Sequence, residues 1–124
     1  MKVVGKIEKG VGHFRERMAK HEGVFTRAVG HRLYAGTLNV RIDRKLPCEA
    51  HFRIEGALIG EPEQDLLFER CVVAGRPAYR IRPYRVLDGL GGHGDDVLEI
   101  ASEFRLRCLF PDGKVEVEFP HRTE

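Results

Sequence analysis

No apolar run in this chain approaches the ~18–20 residues needed to span a bilayer, and its opening, MKVVGKIEKG, has none of the apolar stretch of a signal peptide. A soluble, cytoplasmic protein with no membrane partner is therefore expected. Cysteine is scarce: Cys48, Cys71 and Cys108 lie far apart, with no CxxC pair or Cys/His ligand spacing. Their odd number leaves at least one unpaired, and they read as buried or inert thiols in a reducing compartment. The histidines form no HxH or HExxH pattern, which argues against a catalytic centre of the zinc type. A GxxxxGK[ST] phosphate loop is absent, as are internal repeats, low-complexity tracts and Pro/Ser-rich linkers. At 124 residues, one domain spanning 1–124 is expected, large enough to bury a core without disulfides or a structural metal.

Net charge is also small, +2, so a nucleic acid is not the expected partner. Its distribution is uneven: residues 1–45 hold eleven Lys/Arg against four Asp/Glu, and the remainder is net acidic. A positive segment on a nearly neutral chain suits a local anion such as phosphate better than a long polyanion. What the chain has in excess is glycine, 14 residues, hence many turns and short strands. Apolar and polar residues alternate in blocks at Val3–Ile7, Thr37–Ile42, Ala50–Ile54, Leu66–Val73, Ala78–Ile81, Val97–Ile100 and Val115–Phe119, predicting six or seven strands. Two stretches break that period. Phe14, Met18 and His21 fall at i, i+4 and i+7, predicting a helix over Gly12–His21 with Gly23 as its stop. Glu103–Leu109 is expected to form one or two helical turns with Ser102 as N-cap. Many short strands with one or two short helices point to a mainly β fold, a small closed β-barrel without exposed sheet edges.

Three segments carry candidate chemistry. Gly10-Val11-Gly12-His13 joins a strand to a helix; glycines let the backbone approach a phosphate, and amides at a helix start point toward it. The same residues suit a plain strand-to-helix turn. In Gly36-Thr37-Leu38-Asn39-Val40 the period of two puts Thr37 and Asn39 on one face, where a hydroxyl and an amide carbonyl can ligate a hard cation such as Mg²⁺ if a nucleotide supplies the remaining oxygens; cross-strand hydrogen bonding is the other reading. Glu99, on the face of Val97 and Ala101, stands among apolar neighbours whose desolvation would make it a base. The basic cluster Arg76, Arg80, Arg82 and Arg85 suits triphosphate steering, RNA phosphate contact or a solvated strand face.

In this order the three segments resemble the archaeal-type, CTP-dependent riboflavin kinases. The resemblance is carried by Gly10-Val11-Gly12, Tyr34 to Val40, Val97-Leu98-Glu99-Ile100, Leu106-Arg107 and Asp112-Gly113-Lys114-Val115-Glu116-Val117, nearly the whole chain, with Gly-Thr-Leu-Asn-Val its most specific piece. It implies a six-stranded cradle-loop barrel that transfers the γ-phosphoryl group of CTP to the ribityl hydroxyl of riboflavin, giving FMN and CDP with Mg²⁺. It further implies that Gly10, Val11, Gly12, His13, Phe14 and Arg15 cradle the nucleotide together with Phe104, Arg105, Leu106 and Arg107. Thr37 and Asn39 would hold the metal, Glu99 would act on the flavin hydroxyl, and His93 would contact the flavin. The chain departs from the family where Gly12 is followed by His13 and Phe14 instead of Glu-Gly, and in the Gly-rich stretch 87–94, where the flavin-contacting Thr has no counterpart. Two alternatives stay open: a barrel relative that binds a nucleotide, a flavin or another small ligand without transfer, and a small nucleic-acid- or protein-interaction barrel. A monomer is expected, since a closed barrel leaves no free edge.

Overall fold

In a computed structural model of the chain, residues 1–10, 14–84 and 94–123 are described. Seven strands form one antiparallel sheet: β1 (Lys2–Glu8), β2 (Leu38–Arg41), β3 (Phe52–Ile54), β4 (Leu66–Val73), β5 (Arg76–Pro83), β6 (Val97–Ala101) and β7 (Lys114–Glu118). Six of them close into a barrel in the order β4-β5-β6-β2-β1-β7, with β7 returning to β4. Closure falls at Val72↔Glu118 and Val73↔Val117, while β3 takes the other end of the same β4 edge at Phe52↔Phe68 and Ile54↔Leu66. Among the described residues, β3 pairs with no strand on its far side, so the sheet does keep one short edge. The tight β4–β5 connection runs through Ala74 and Gly75, both with positive φ (53° and 71°), as a two-residue hairpin turn requires.

The period of two sorts side chains into two cores. Along β4 the odd positions Cys71 and Val73 enter the barrel with Leu38, Val40, Leu98, Ile100, Val115 and Val117. The even positions Leu66 and Phe68 face outward and are covered by two helices, α1 (Phe14–Lys20) and α2 (Glu22–Val29), through Phe14, Met18 and Phe25. Leu66, Phe68 and Phe25 are each within 2% of complete burial, and burying one such side chain contributes about 1.5–3 kcal/mol. The helical segment therefore runs past its expected stop. Gly23 lies inside α2, where the ~1 kcal/mol cost of a helical glycine is outweighed by the burial of Phe25, and the helix ends at Gly30 in the left-handed conformation, its N–H bonded to Thr26 O at 2.8 Å. Ser102 is likewise no helix cap. Its hydroxyl closes a local turn on Phe104, donating to the carbonyl at 2.8 Å and accepting from the N–H at 3.0 Å, and the following 3₁₀ turn spans Leu106–Leu109. No helix among the described residues is long and apolar enough to cross a membrane.

Candidate functional site

Because Leu38 and Val40 point into the barrel, Thr37 and Asn39 must face out. Register then sets Asn39 between Glu8 of β1 and Glu99 of β6, both directly across from it. This row is the floor of a cleft of about 270 Å³. Thr37 Oγ1 donates to Glu99 Oε2 at 2.8 Å. Asn39 is 7% exposed and its Oδ1 has no hydrogen-bond partner among the described residues. An orphaned buried acceptor costs about 1–3 kcal/mol, so the position calls for a donor or a cation. Gly10 passes so close that a Cβ there would lie 2.5 Å from Asn39 Nδ2; only glycine lets the backbone come this near. The donor set is a hydroxyl, an amide oxygen and carboxylates nearby, the hard oxygens that suit Mg²⁺ rather than zinc or copper. These residues fit such an ion.

Ten of the site residues expected from sequence border this cleft: Gly10, Phe14 and Arg15 from the segment after β1, Thr37, Asn39 and Glu99 from β2, its approach and β6, and Phe104, Arg105, Leu106 and Arg107 from the segment after β6. Val11, Gly12, His13 and His93 lie outside the described residues. The side chains differ in role. Phe14 and Leu106 are buried, Phe14 edge-on to Phe25 at 6.4 Å and Leu106 in the barrel core. Arg15, Arg105 and Arg107 are exposed and make no ion pair among the described residues, so three guanidinium groups rim the cleft. Glu99 has the expected buried flanks in Val97 and Ala101, but it is itself only half-buried and bound by Thr37. Sequence reasoning missed Glu8, Tyr34 and Ser102 as cleft residues. Glu8 is gripped by Arg41 through two bonds of 2.7 and 3.0 Å, and Arg41 also reaches Asp96 at 2.9 Å.

Within the arginine cluster, Arg80 and Arg82 do not form a phosphate-binding or solvated face, whereas Arg76 is exposed. Arg80 is completely buried opposite Glu69, which is also completely buried; their side chains approach to 3.5 Å inside one end of the barrel. Arg82 bonds Asp95 at 3.1 Å. Glu69 is held further by Arg122 at 2.7 and 3.0 Å and by His121 at 2.7 Å. Burial alone would raise the Glu69 pKa, but the hydrogen bonds from Arg122 and His121 outweigh it and hold the carboxyl below its ordinary value. Glu49, Glu69 and His121 bring oxygen and nitrogen atoms within 4.8 Å of one another, yet the Arg122 guanidinium already pairs with both carboxylates, reaching Glu49 at 3.0 Å. Arg85, the fourth member of the cluster, lies outside the described residues.

No family model matches the chain. It is similar to a riboflavin kinase of Staphylothermus marinus, with 30% identity over 113 residues that cover 86% of this chain and 80% of the relative.

Proposed function

The chain belongs to the riboflavin kinase family, and from that membership together with the cleft we propose that it transfers the γ-phosphoryl group of CTP to the ribityl 5′-hydroxyl of riboflavin, giving FMN and CDP. The observation that carries this reading is Asn39 Oδ1, without a hydrogen-bond partner among the described residues, beside the Thr37 hydroxyl, in one cleft with three arginines that make no ion pair among those residues. Phosphoryl transfer asks mainly for positioning and charge neutralisation. Bound Mg²⁺, held by Thr37 and Asn39, would supply that neutralisation at the phosphate oxygens. Arg15, Arg105 and Arg107 hold the polyphosphate in place, and Gly10 admits it close to the backbone. Glu99, oriented by Thr37, accepts the hydroxyl proton of the flavin's ribityl chain as the new P–O bond forms. Arg80 and Arg82 take no part, since both are committed to carboxylates, and that burial also counts against a nucleic-acid-binding barrel.

The test is incubation with riboflavin, Mg²⁺ and each nucleoside triphosphate in turn, with FMN separated by chromatography. Turnover with CTP is expected. Thr37→Ala combined with Asn39→Ala should abolish FMN formation while the thermal transition stays cooperative, because both side chains lie outside the barrel core. Full activity in that double variant overturns the metal assignment, and riboflavin fluorescence quenching without any FMN from the native chain overturns the kinase reading.

A further inference from the structure

Two exposed aromatic rings line the cleft, Tyr34 at 40% and Phe104 at 41% exposure. They come from segments tied to each other, since Tyr34 N–H donates to the Ser102 carbonyl at 2.9 Å, and Ser102, only 2% exposed, pins the Phe104 backbone through the two hydroxyl bonds described above. The Phe104 ring has a second anchor from elsewhere in the fold. Arg76, the first residue of β5 after the tight turn, sets its guanidinium carbon 4.2 Å from the ring centroid. Other arginine–ring contacts among the described residues are looser, such as Arg122 on Phe119 at 5.3 Å and Arg53 on Tyr84 at 5.9 Å. Arg76 makes no ion pair among the described residues and does not itself border the cleft. An exposed ring is ordinarily free to turn; this one is fixed at its backbone and at its face.

We propose that Arg76, from outside the cleft, is a positioning residue: it holds Phe104, which the family resemblance already places against the nucleotide, so that Phe104 together with Tyr34 presents a fixed surface to a planar heteroaromatic ring of a substrate. The proposal rests on the reading that the cleft takes a nucleotide and a flavin, and either could bring the ring. A fixed aromatic face binds a flat ring without first losing rotamer freedom, and the attraction between the Arg76 guanidinium and the Phe104 ring holds that face in its orientation.

The test measures affinity of the full chain for riboflavin by fluorescence quenching, and for CTP and inorganic tripolyphosphate by calorimetry, in the native chain and in Arg76→Ala, Arg76→Lys, Phe104→Leu and the Arg76→Ala/Phe104→Leu double variant. Arg76→Ala is expected to weaken at least one ring-bearing ligand about two- to fivefold, the size of an exposed cation–π contact, while tripolyphosphate, which has no ring, binds as before. Arg76→Lys should restore most of the loss, and Arg76→Ala should add nothing in the Phe104→Leu background. The affected ligand identifies the source of the ring. An equal loss for tripolyphosphate makes Arg76 a simple charge and overturns the proposal, as does unchanged riboflavin and CTP affinity in Arg76→Ala. A native chain that binds neither riboflavin nor CTP overturns the functional reading beneath it.

Discussion

Gly10→Ala isolates the link between the glycine turn and the ligand oxygen of Asn39. Gly10 does not have positive φ, so alanine meets no backbone penalty and the whole effect comes from contact. The new Cβ would stand 2.5 Å from Asn39 Nδ2, where ordinary contact begins at 3.4 Å, so the amide nitrogen must retreat by about 0.9 Å. The carboxamide is rigid and planar. Moving the nitrogen that far means turning the group roughly 45° about Cβ–Cγ, which swings Oδ1 about 0.8 Å the opposite way. Mg²⁺ demands near-octahedral geometry at ~2.0–2.1 Å, and a misplacement near 1 Å costs on the order of 100-fold in rate. The loss of stability should be moderate, leaving the protein folded. The crowding costs about 1–3 kcal/mol, and the stiffer unfolded chain returns about 0.4–1 kcal/mol. FMN formation titrated against Mg²⁺, with thermal melting alongside, should show a strongly raised metal requirement in a folded protein. A native Mg²⁺ dependence would refute the reasoning, for it would mean that Asn39 yields without consequence or does not hold the ion.

Other outcomes follow from the opposite end of the barrel. Glu69→Gln removes the nearer of the two carboxylates facing buried Arg80, leaving Asp95 at 3.9 Å, and should lower stability by up to ~3–5 kcal/mol, read by denaturant titration; a change below about 1 kcal/mol would show the Glu69 pair to be idle. The folded Glu69 pKa lies below its unfolded value, so its contribution is fully present above the ordinary carboxylate range and is lost as pH falls through the depressed folded pKa. Stability measured from pH 7 to pH 3 should therefore decline more steeply in the native chain than in Glu69→Gln, and parallel curves would refute the assignment. Burial pushes the Cys48 thiol up to about 11 and that of Cys71 higher still, whereas Cys108 is exposed. A thiol reagent at pH 8 should label Cys108 rapidly and the other two only on unfolding; fast labelling of Cys71 would contradict its place in the core.

Much of the barrel was legible because it is written in a period of two. The alternation over Leu66–Val73 has the same limits as β4, and the Thr37/Asn39 pair was readable because Leu38 and Val40 between and beside them had to go inside. Glu8 and Tyr34 could not be found this way. Glu8 stands beside Asn39 through the β1–β2 pairing, and Tyr34 is tied to the segment after β6 by its hydrogen bond to Ser102; both join residues far apart in the chain. Arg80 misled for a different reason. Alternation alone puts it on the face of Ala78, which is inside, but a lone arginine is ordinarily assigned to solvent. Its burial depends on Glu69 standing directly across the β4–β5 ladder.

The same parity separates what holds the fold from what works on the substrate. On β2, Leu38 and Val40 belong to the barrel core, while Asn39 on the alternate face and Thr37 just before the strand belong to the cleft, so changing the latter two removes ligand oxygens from the cleft and not side chains from the core. On β4 and β5, Glu69 and Arg80 share the inner face with Cys71 and Ala78, where a charge has no access to water and must be met within the barrel. A substitution in the cleft row of Thr37, Asn39 and Glu99 should thus act on affinity and rate, and one among the charged residues of the inner row on stability. Asn39→Ala and Glu69→Gln, assayed side by side for FMN formation and for unfolding, should move opposite readouts; if Asn39→Ala proved the more destabilising, the division of labour between the two faces would be wrong.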